Sequence, residues 1–336
     1  MISEQLLAQL EKEYGLLLQK VESDIPIQFQ AKSSLSLLKD EEDSFYILKR
    51  IPPAYFKLST PGDYFHGLSL FIRQVHAHEI PLVNYLFTQE GAVSLQYQED
   101  YYVIYPYVSA AGYSGALEEV RSTASIHARM NCALKSMDPA EVDFIRRKIK
   151  NNFLTDEPLP VLLERVKEKL SSSQKNEVTK KISALVPVVE ECLFSFDEKL
   201  YHSLPAGVAH KDVWPANILY DQNELKVILD PDEAMYIPRV RDVMYSIWCF
   251  STLTAEGRVT SPDLISANAY LDAYVRAGEL TTAEVRFLPE AAIRIWTEDF
   301  LHFMLKVNLS RNHIPGLEEK MTYLTDAVAA RSAWGF

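Results

Sequence analysis

The stretch that most constrains this chain runs His210-Lys211-Asp212-Val213-Trp214-Pro215-Ala216-Asn217-Ile218-Leu219-Tyr220 and on to Val227-Ile228-Leu229-Asp230-Pro231-Asp232-Glu233. Ile218-Leu219-Tyr220 and Lys226-Val227-Ile228-Leu229 are short runs rich in branched apolar side chains, and Asp221-Gln222-Asn223-Glu224 between them is turn chemistry. Together they predict a β-hairpin with a four-residue loop. A hairpin fixes its two ends relative to each other, so Asn217 and Asp230 are expected side by side, with Asp212 on the loop leading in. A carboxylate and an amide oxygen meeting at one point suit a hard cation such as Mg²⁺, which takes oxygen ligands and keeps several waters. A second carboxylate that the metal does not need can accept a proton from an attacking hydroxyl.

The segment HKDVWPANILYDQNELKVILDPDEA, with Arg241-Asp242 after it, resembles the catalytic core of the aminoglycoside phosphotransferase and choline kinase-like family. That family shows His-Gly-Asp-x-x-x-x-Asn, a hairpin, Ile-Asp-x-Asp/Glu and a later Arg-Asp. Homoserine-kinase-type and spore-coat kinase-like proteins share the outline. The resemblance implies an α+β, protein-kinase-like fold of two lobes. Residues 1–108 would form a small N-terminal lobe with an antiparallel sheet, and residues 109–336 a mainly helical C-terminal lobe with the catalytic loop and acceptor pocket. It implies ATP and Mg²⁺ as cofactors and a small-molecule acceptor. Asp212 would take or orient the acceptor's hydroxyl proton, Asn217 and Asp230 would hold Mg²⁺, and His210 and Asp242 would support the loop. Asp232 and Glu233, on the floor beyond Asp230, would suit an amine-bearing acceptor if they face it and are surface charge if they do not. The rival from another class is a pseudokinase-like binding or spore-coat-associated protein with weak or no turnover.

The rest of the chain is expected to serve this core. Residues 3–14 read as a helix with Ser3 as N-cap and Leu6, Leu7 and Leu10 on one face. Strands are expected at 25–29, 34–38 and 45–48. Lys49 ends the last of these, where the resembled family has its phosphate-pairing lysine. Two departures stand out: residues 16–61 contain no glycine where a nucleotide-covering loop normally has several. On the helix expected over 63–78, the family's acidic partner for the lysine falls near His66, with Asp63 the nearest carboxylate. Strands are expected at 81–87, 92–96 and 101–108. The last runs into Ser109-Ala110-Ala111-Gly112 and resembles the hinge strand that holds adenine, with contacts expected at Tyr105, Tyr107 and Val108. Helices follow at 115–129, carrying His127 as a core residue, then at 139–151, 159–170 and 177–204. Further helices are expected over 243–252 and 262–332, where Trp248, Trp296, Phe300 and Phe303 read as core, and Glu298 and Asp299 as a solvated face or, failing that, as facing the acceptor site.

Composition sets the outer bounds. The 336 residues suffice for two ordinary domains, and 48% hydrophobic with 24% charged residues is a globular balance. A net charge of −12 argues against nucleic acid as a partner. Three scattered cysteines give neither a disulfide framework nor zinc spacing. The N-terminal residues lack a signal-peptide pattern and no apolar run is long enough for a membrane span, so the cytoplasm is the expected location. Oligomeric state is not legible.

Overall fold

In the computed structural model, residues 2–21, 34–53, 60–137, 158–255, 257–311, 313–332 and 334 are described. The strand expected at 25–29, most of the glycine-free loop and the helix expected at 139–151 lie outside them.

Helix α1 (Glu4–Tyr14) begins where the Ser3 side chain accepts the Leu6 N–H and ends at Gly15, whose φ of 69° is left-handed. It lies on an antiparallel sheet that among the described residues has five strands: β1 (Leu18–Lys20), β2 (Ser34–Asp40), β3 (Phe45–Ile51), β4 (Leu95–Tyr97) and β5 (Asp100–Pro106), in the order β1-β2-β3-β5-β4. Strand periodicity sorts the side chains. Leu38, Leu48, Tyr102 and Ile104 join Leu6 and Leu10 under α1. Ile51 and Val103 point the other way, into the main core with α2 (Pro61–Ala77). Lys49 pairs with Val103 and Ile47 with Tyr105 across the ladder. The two-residue alternation therefore aims Lys49 and Tyr105 toward the interior of the molecule.

The segment expected as a strand at 81–87 is instead an extended strap. Its Val83 N–H donates to the Ile228 carbonyl (2.8 Å), Ile228 N–H donates back to Pro81 (2.7 Å), and Leu86 N–H donates to Ile104 (2.8 Å). It spends its backbone bonds on two different elements and so makes no ladder of its own. In doing so it ties the sheet to the second lobe.

That lobe is built on α3 (Leu117–Leu134), α4 (Leu159–Ser172), α5 (Glu177–Ser195), α6 (Glu198–Ser203), α7 (Arg239–Thr252), α8 (Leu264–Ala277), α9 (Thr282–Lys306) and α10 (Leu317–Ala330). The single helix expected at 177–204 breaks after Ser195, and Asp197 caps the short α6 by accepting the Leu200 N–H. Helix α3 packs along α8, and Gly278 permits it: a Cβ there would sit 2.8 Å from that of Ala128. Glu298, expected on a solvated face, is buried, and it pairs with Arg241 (3.1 Å) on α7.

Two small ladders frame residues 210–234. Strand β6 (Ala206–Ala209) pairs antiparallel with β9 (Met235–Pro238), so the chain enters and leaves residues 210–234 through one clamp. Inside it, β7 (Ile218–Asp221) pairs with β8 (Glu224–Ile228). The hairpin loop is two residues rather than the expected four, because Asp221 and Glu224 themselves pair. Gln222 (φ 50°) and Asn223 (φ 68°) both turn left-handed, as a tight hairpin turn matching the strand twist requires.

Candidate active site

The loop from β6 to β7 is held from below. His210 is fully buried; its Nε2 lies 3.1 Å from the Leu229 carbonyl and its Nδ1 3.3 Å from the Asp212 backbone nitrogen. A carbonyl can only accept and an amide N–H can only donate, so the imidazole is neutral with its proton on Nε2. Burial pushes its pKa down to about 4, against the opposing pull of Asp242 and Asp230. Lys211 follows with φ 68°, a costly left-handed conformation for a side-chain-bearing residue. Its N–H donates to Asp242 Oδ1 (2.9 Å), which fixes that turn.

Asp242 anchors a buried network. Its Oδ2 meets His127 Nε2 (2.5 Å) and accepts from Asn131 Nδ2 (3.0 Å), both on α3, and His127 Nδ1 lies 2.8 Å from the Tyr270 hydroxyl. Burial would raise the Asp242 pKa, but His127 and Asn131 outweigh it and hold the carboxyl below its ordinary value. Helix α7 starts at Arg239, earlier than expected, so Asp242 sits within its first turn and is not its N-cap. His127 is a core residue, as expected, and it orients the group that orients the loop.

Asp212 is clasped on both oxygens: Asn217 Nδ2 donates to Oδ2 (2.7 Å) and to the Asp212 carbonyl (3.0 Å), and the Tyr245 hydroxyl donates to Oδ1 (3.2 Å). Burial, then the nearby charges of Asp230 and Glu233, raise its pKa to about 6. That is closer to neutrality than an ordinary carboxylate, which suits a general base. Two acceptors claim the Asn217 amide nitrogen, which turns its Oδ1 away from Asp212. Asn217 also accepts the Leu229 N–H through its carbonyl (2.7 Å), which places it beside the start of Asp230.

Asp230 (φ 54°) ends the hairpin in a left-handed conformation, and Pro231–Glu233 form one 3-10 turn. Lys49 Nζ reaches across from the sheet to Asp230 Oδ1 (2.6 Å) and to Asp232 Oδ2 (2.7 Å). Burial alone would lower the lysine's pKa; Asp232 and Asp230 overcome that and raise it above its ordinary value. The Tyr85 hydroxyl donates to Asp232 Oδ1 (3.0 Å), and the Tyr85 ring stacks on Tyr105 (centroids 5.2 Å apart, planes at 12°). Asp232 is thus buried against the sheet, neither on an open acceptor wall nor at the surface. Glu233 is partly exposed, with Lys211 Nζ at 3.5 Å.

The donor set fits a magnesium ion. Among the described residues no group of three or more His, Cys, Asp or Glu side chains forms a metal cage. The Asn217 amide oxygen and the Asp230 carboxylate are oxygen donors of the kind taken by an ion that completes its shell with water and phosphate oxygens. In the segment expected as the hinge, the Tyr107 N–H is committed to the Phe45 carbonyl (2.8 Å) and its ring is exposed. Val108 is partly buried and packs against the core. The side chains that pattern reading did not single out are Tyr85, Asn131 and Tyr245. Only Tyr245 left a trace, one helical turn beyond Asp242 and so on the same face.

An antiparallel sheet over a helical lobe, with a lysine from one meeting two aspartates of the other, defines a kinase-like two-lobe protein. The description "Phosphotransferase enzyme family" matches residues 27–288, and the chain belongs to that family. No curated protein matches it by sequence. Among solved structures it is similar to the amicoumacin kinase hAmiN in complex with AMP-PNP, Ca²⁺ and Ami. Identity there is 15%, the TM-score is 0.67, and 99% of this chain and 94% of that one are covered. An aminoglycoside phosphotransferase from Alicyclobacillus acidocaldarius is 16% identical at TM-score 0.63, covering 99% and 94%. The ethanolamine kinase Pv091845 of Plasmodium vivax is 10% identical at 0.61, covering 99% and 90%.

Proposed function

We propose that this protein transfers the γ-phosphoryl group of ATP to a hydroxyl of a small, amine-bearing molecule. The observation that carries the reading is the Asp212 carboxylate, gripped by Asn217 and Tyr245, one hairpin away from the Lys49–Asp230 pair. Asp212 accepts the proton of the acceptor hydroxyl as its oxygen attacks the γ-phosphorus. The bond to the β–γ bridging oxygen breaks, and ADP leaves with that electron pair. Lys49 pairs with the α- and β-phosphates, Asn217 and Asp230 hold Mg²⁺, and Tyr105, Tyr107 and Val108 border the adenine. The ion supplies charge neutralisation on the phosphates. The protein's part is position and electrostatics, since phosphoryl transfer asks for little covalent work from side chains. The amine preference is supported by Glu233 near Asp212, by the net charge of −12 and by the likeness to an ethanolamine kinase. The likeness to a kinase captured with AMP-PNP and Ca²⁺ supports a nucleotide and a divalent ion.

The absence of glycine over residues 16–61 supports a second reading, a binding or spore-coat-associated protein without turnover. One experiment separates them: ATP turnover screened over amino alcohols, aminoglycosides and homoserine, with Asp212→Ala as control. Acceptor-dependent ADP release that the substitution abolishes supports the enzyme. Equal residual rates in both proteins, alongside a thermal shift with Mg²⁺-ATP, establish the binder.

A further inference from the structure

Lys49 stands between two aspartates at almost equal distances, 2.6 Å from Asp230 and 2.7 Å from Asp232. The two are not equivalent. The Asp230 side chain is 38% exposed, and that of Asp232 is 2% exposed. Asp232 is fixed from several directions: Tyr85 holds its second oxygen at 3.0 Å, and the Tyr64 hydroxyl of α2 lies 3.5 Å from its carbonyl. Tyr85 is itself held by its stack on Tyr105. Asp230 is left with room to turn.

Helix α2 has no competing group. Its sole carboxylate, Asp63, lies in the exposed first turn, and His66 is exposed as well. The helix presents Tyr64, Phe65, Leu68 and Phe71 to the interior instead. From these observations we propose that Asp232 is the positioning residue of Lys49. It keeps the lysine when Asp230 turns to the metal, and it does so from the loop after the hairpin, with no carboxylate from α2. The inference rests on the phosphotransferase reading above.

The physical reasoning follows from charge. An ammonium has three donors and no acceptor, so Lys49 can keep its ion pair with Asp232 and still turn donors to phosphate oxygens. A buried carboxylate left without its cation is costly, which keeps Asp232 and Lys49 together through the exchange. Without the Asp232 charge, the carboxylate left to Lys49 among the described residues is Asp230, so the lysine stays on the group that the metal needs. Removing Asp232 therefore acts on metal-assisted nucleotide binding as well as on turnover, although Asp232 touches neither ion nor substrate.

The test is equilibrium binding of a fluorescent ATP analogue, titrated with Mg²⁺. It compares wild type, Asp232→Asn, Tyr85→Phe and the double variant, each checked for folding by its melting temperature. Asp232→Asn is expected to raise the Mg²⁺ needed for half-maximal binding about tenfold or more, the usual cost of losing an outer-shell partner at a metal site. Tyr85→Phe shifts it in the same direction by less, and adds nothing further in the Asp232→Asn background, because it acts through Asp232. A parallel crystal structure with Mg²⁺ and a non-hydrolysable ATP analogue is expected to keep Lys49 on Asp232 and open it from Asp230. That arm decides the matter if Asp232→Asn fails to fold. Unchanged Mg²⁺ dependence in a folded Asp232→Asn, or a complex in which Lys49 has left Asp232, overturns the proposal and leaves the phosphotransferase reading intact. No nucleotide binding by wild type overturns both.

Discussion

Acidification provides a direct test of the loop geometry through His210. The imidazole donates through Nε2 to Leu229 and accepts the Asp212 N–H at Nδ1. A proton added at Nδ1 would face that N–H and break the bond that seats Asp212. The charges around it are Asp242 on α7 and Asp230 after β8, which favour protonation, and His127 on α3, which opposes it; burial outweighs them and leaves the pKa at about 4. In the unfolded chain a histidine titrates near 6.5. Between those values the unfolded state binds the proton and the folded state does not, so stability rises with pH there. The contribution is complete above about pH 6.5 and is lost as pH falls toward about 4, amounting to roughly 3 kcal/mol over the full range. Between pH 7 and pH 5 the loss is roughly 2 kcal/mol from this residue. Urea unfolding at both pH values, for wild type and His210→Gln, isolates it: glutamine can still donate to Leu229 but does not titrate. Other groups cancel in the comparison. If both proteins lose the same stability on acidification, the neutral, doubly bonded histidine is wrong.

Three further outcomes are expected. Asp212→Asn lowers kcat by about 10²- to 10⁴-fold, with little change in urea midpoint, and in wild type the rate falls as pH drops through about 6, because the protonated carboxyl cannot accept the hydroxyl proton. Glu284→Ala destabilises by about 3–5 kcal/mol in the same unfolding assay, since it strands Arg239, held bidentately at 2.9 and 2.6 Å in a buried pair. A chelator abolishes turnover reversibly but leaves the melting temperature of the nucleotide-free protein unchanged. Among the described residues no metal cage of three or more such side chains supports the fold.

The arrangement of the 210–233 segment was legible because its spacing encodes geometry. Four residues from Asp212 to Asn217 and a hairpin to Asp230 leave few ways to arrange three side chains, and the first two meet at 2.7 Å. Lys49 stood out by its place after an apolar strand, where the resembled family has its lysine, and the ladder then shows which face it takes. The partner of Lys49 was not. A lysine's counter-charge can come from any element that packs against it, and nothing in Pro231-Asp232-Glu233 distinguishes an inward aspartate from an outward one. Tyr85 was hidden in a run that looks like any strand. The β6–β9 clamp escaped notice because its partners are separated by residues 210–234, and Ala206-Gly207-Val208-Ala209 has too little pattern to announce a strand. Glu298 was misread because helical periodicity marks a polar position as outward. Arg241, arriving from α7, made the inward position tolerable.

The tryptophans are divided in a way that makes the protein its own optical gauge. Trp248, Trp296 and Trp334 lie within one aromatic block with Tyr323, at centroid separations of 4.4 to 6.2 Å among the touching rings. Trp214 alone stands on the turn between Asp212 and Asn217. Emission in a Trp214→Phe variant reports the integrity of the α7–α9–α10 block, and the difference from wild type reports the loop. Changes at the 210–217 loop and loss of the fold can thereby be followed separately in one cuvette, without a label.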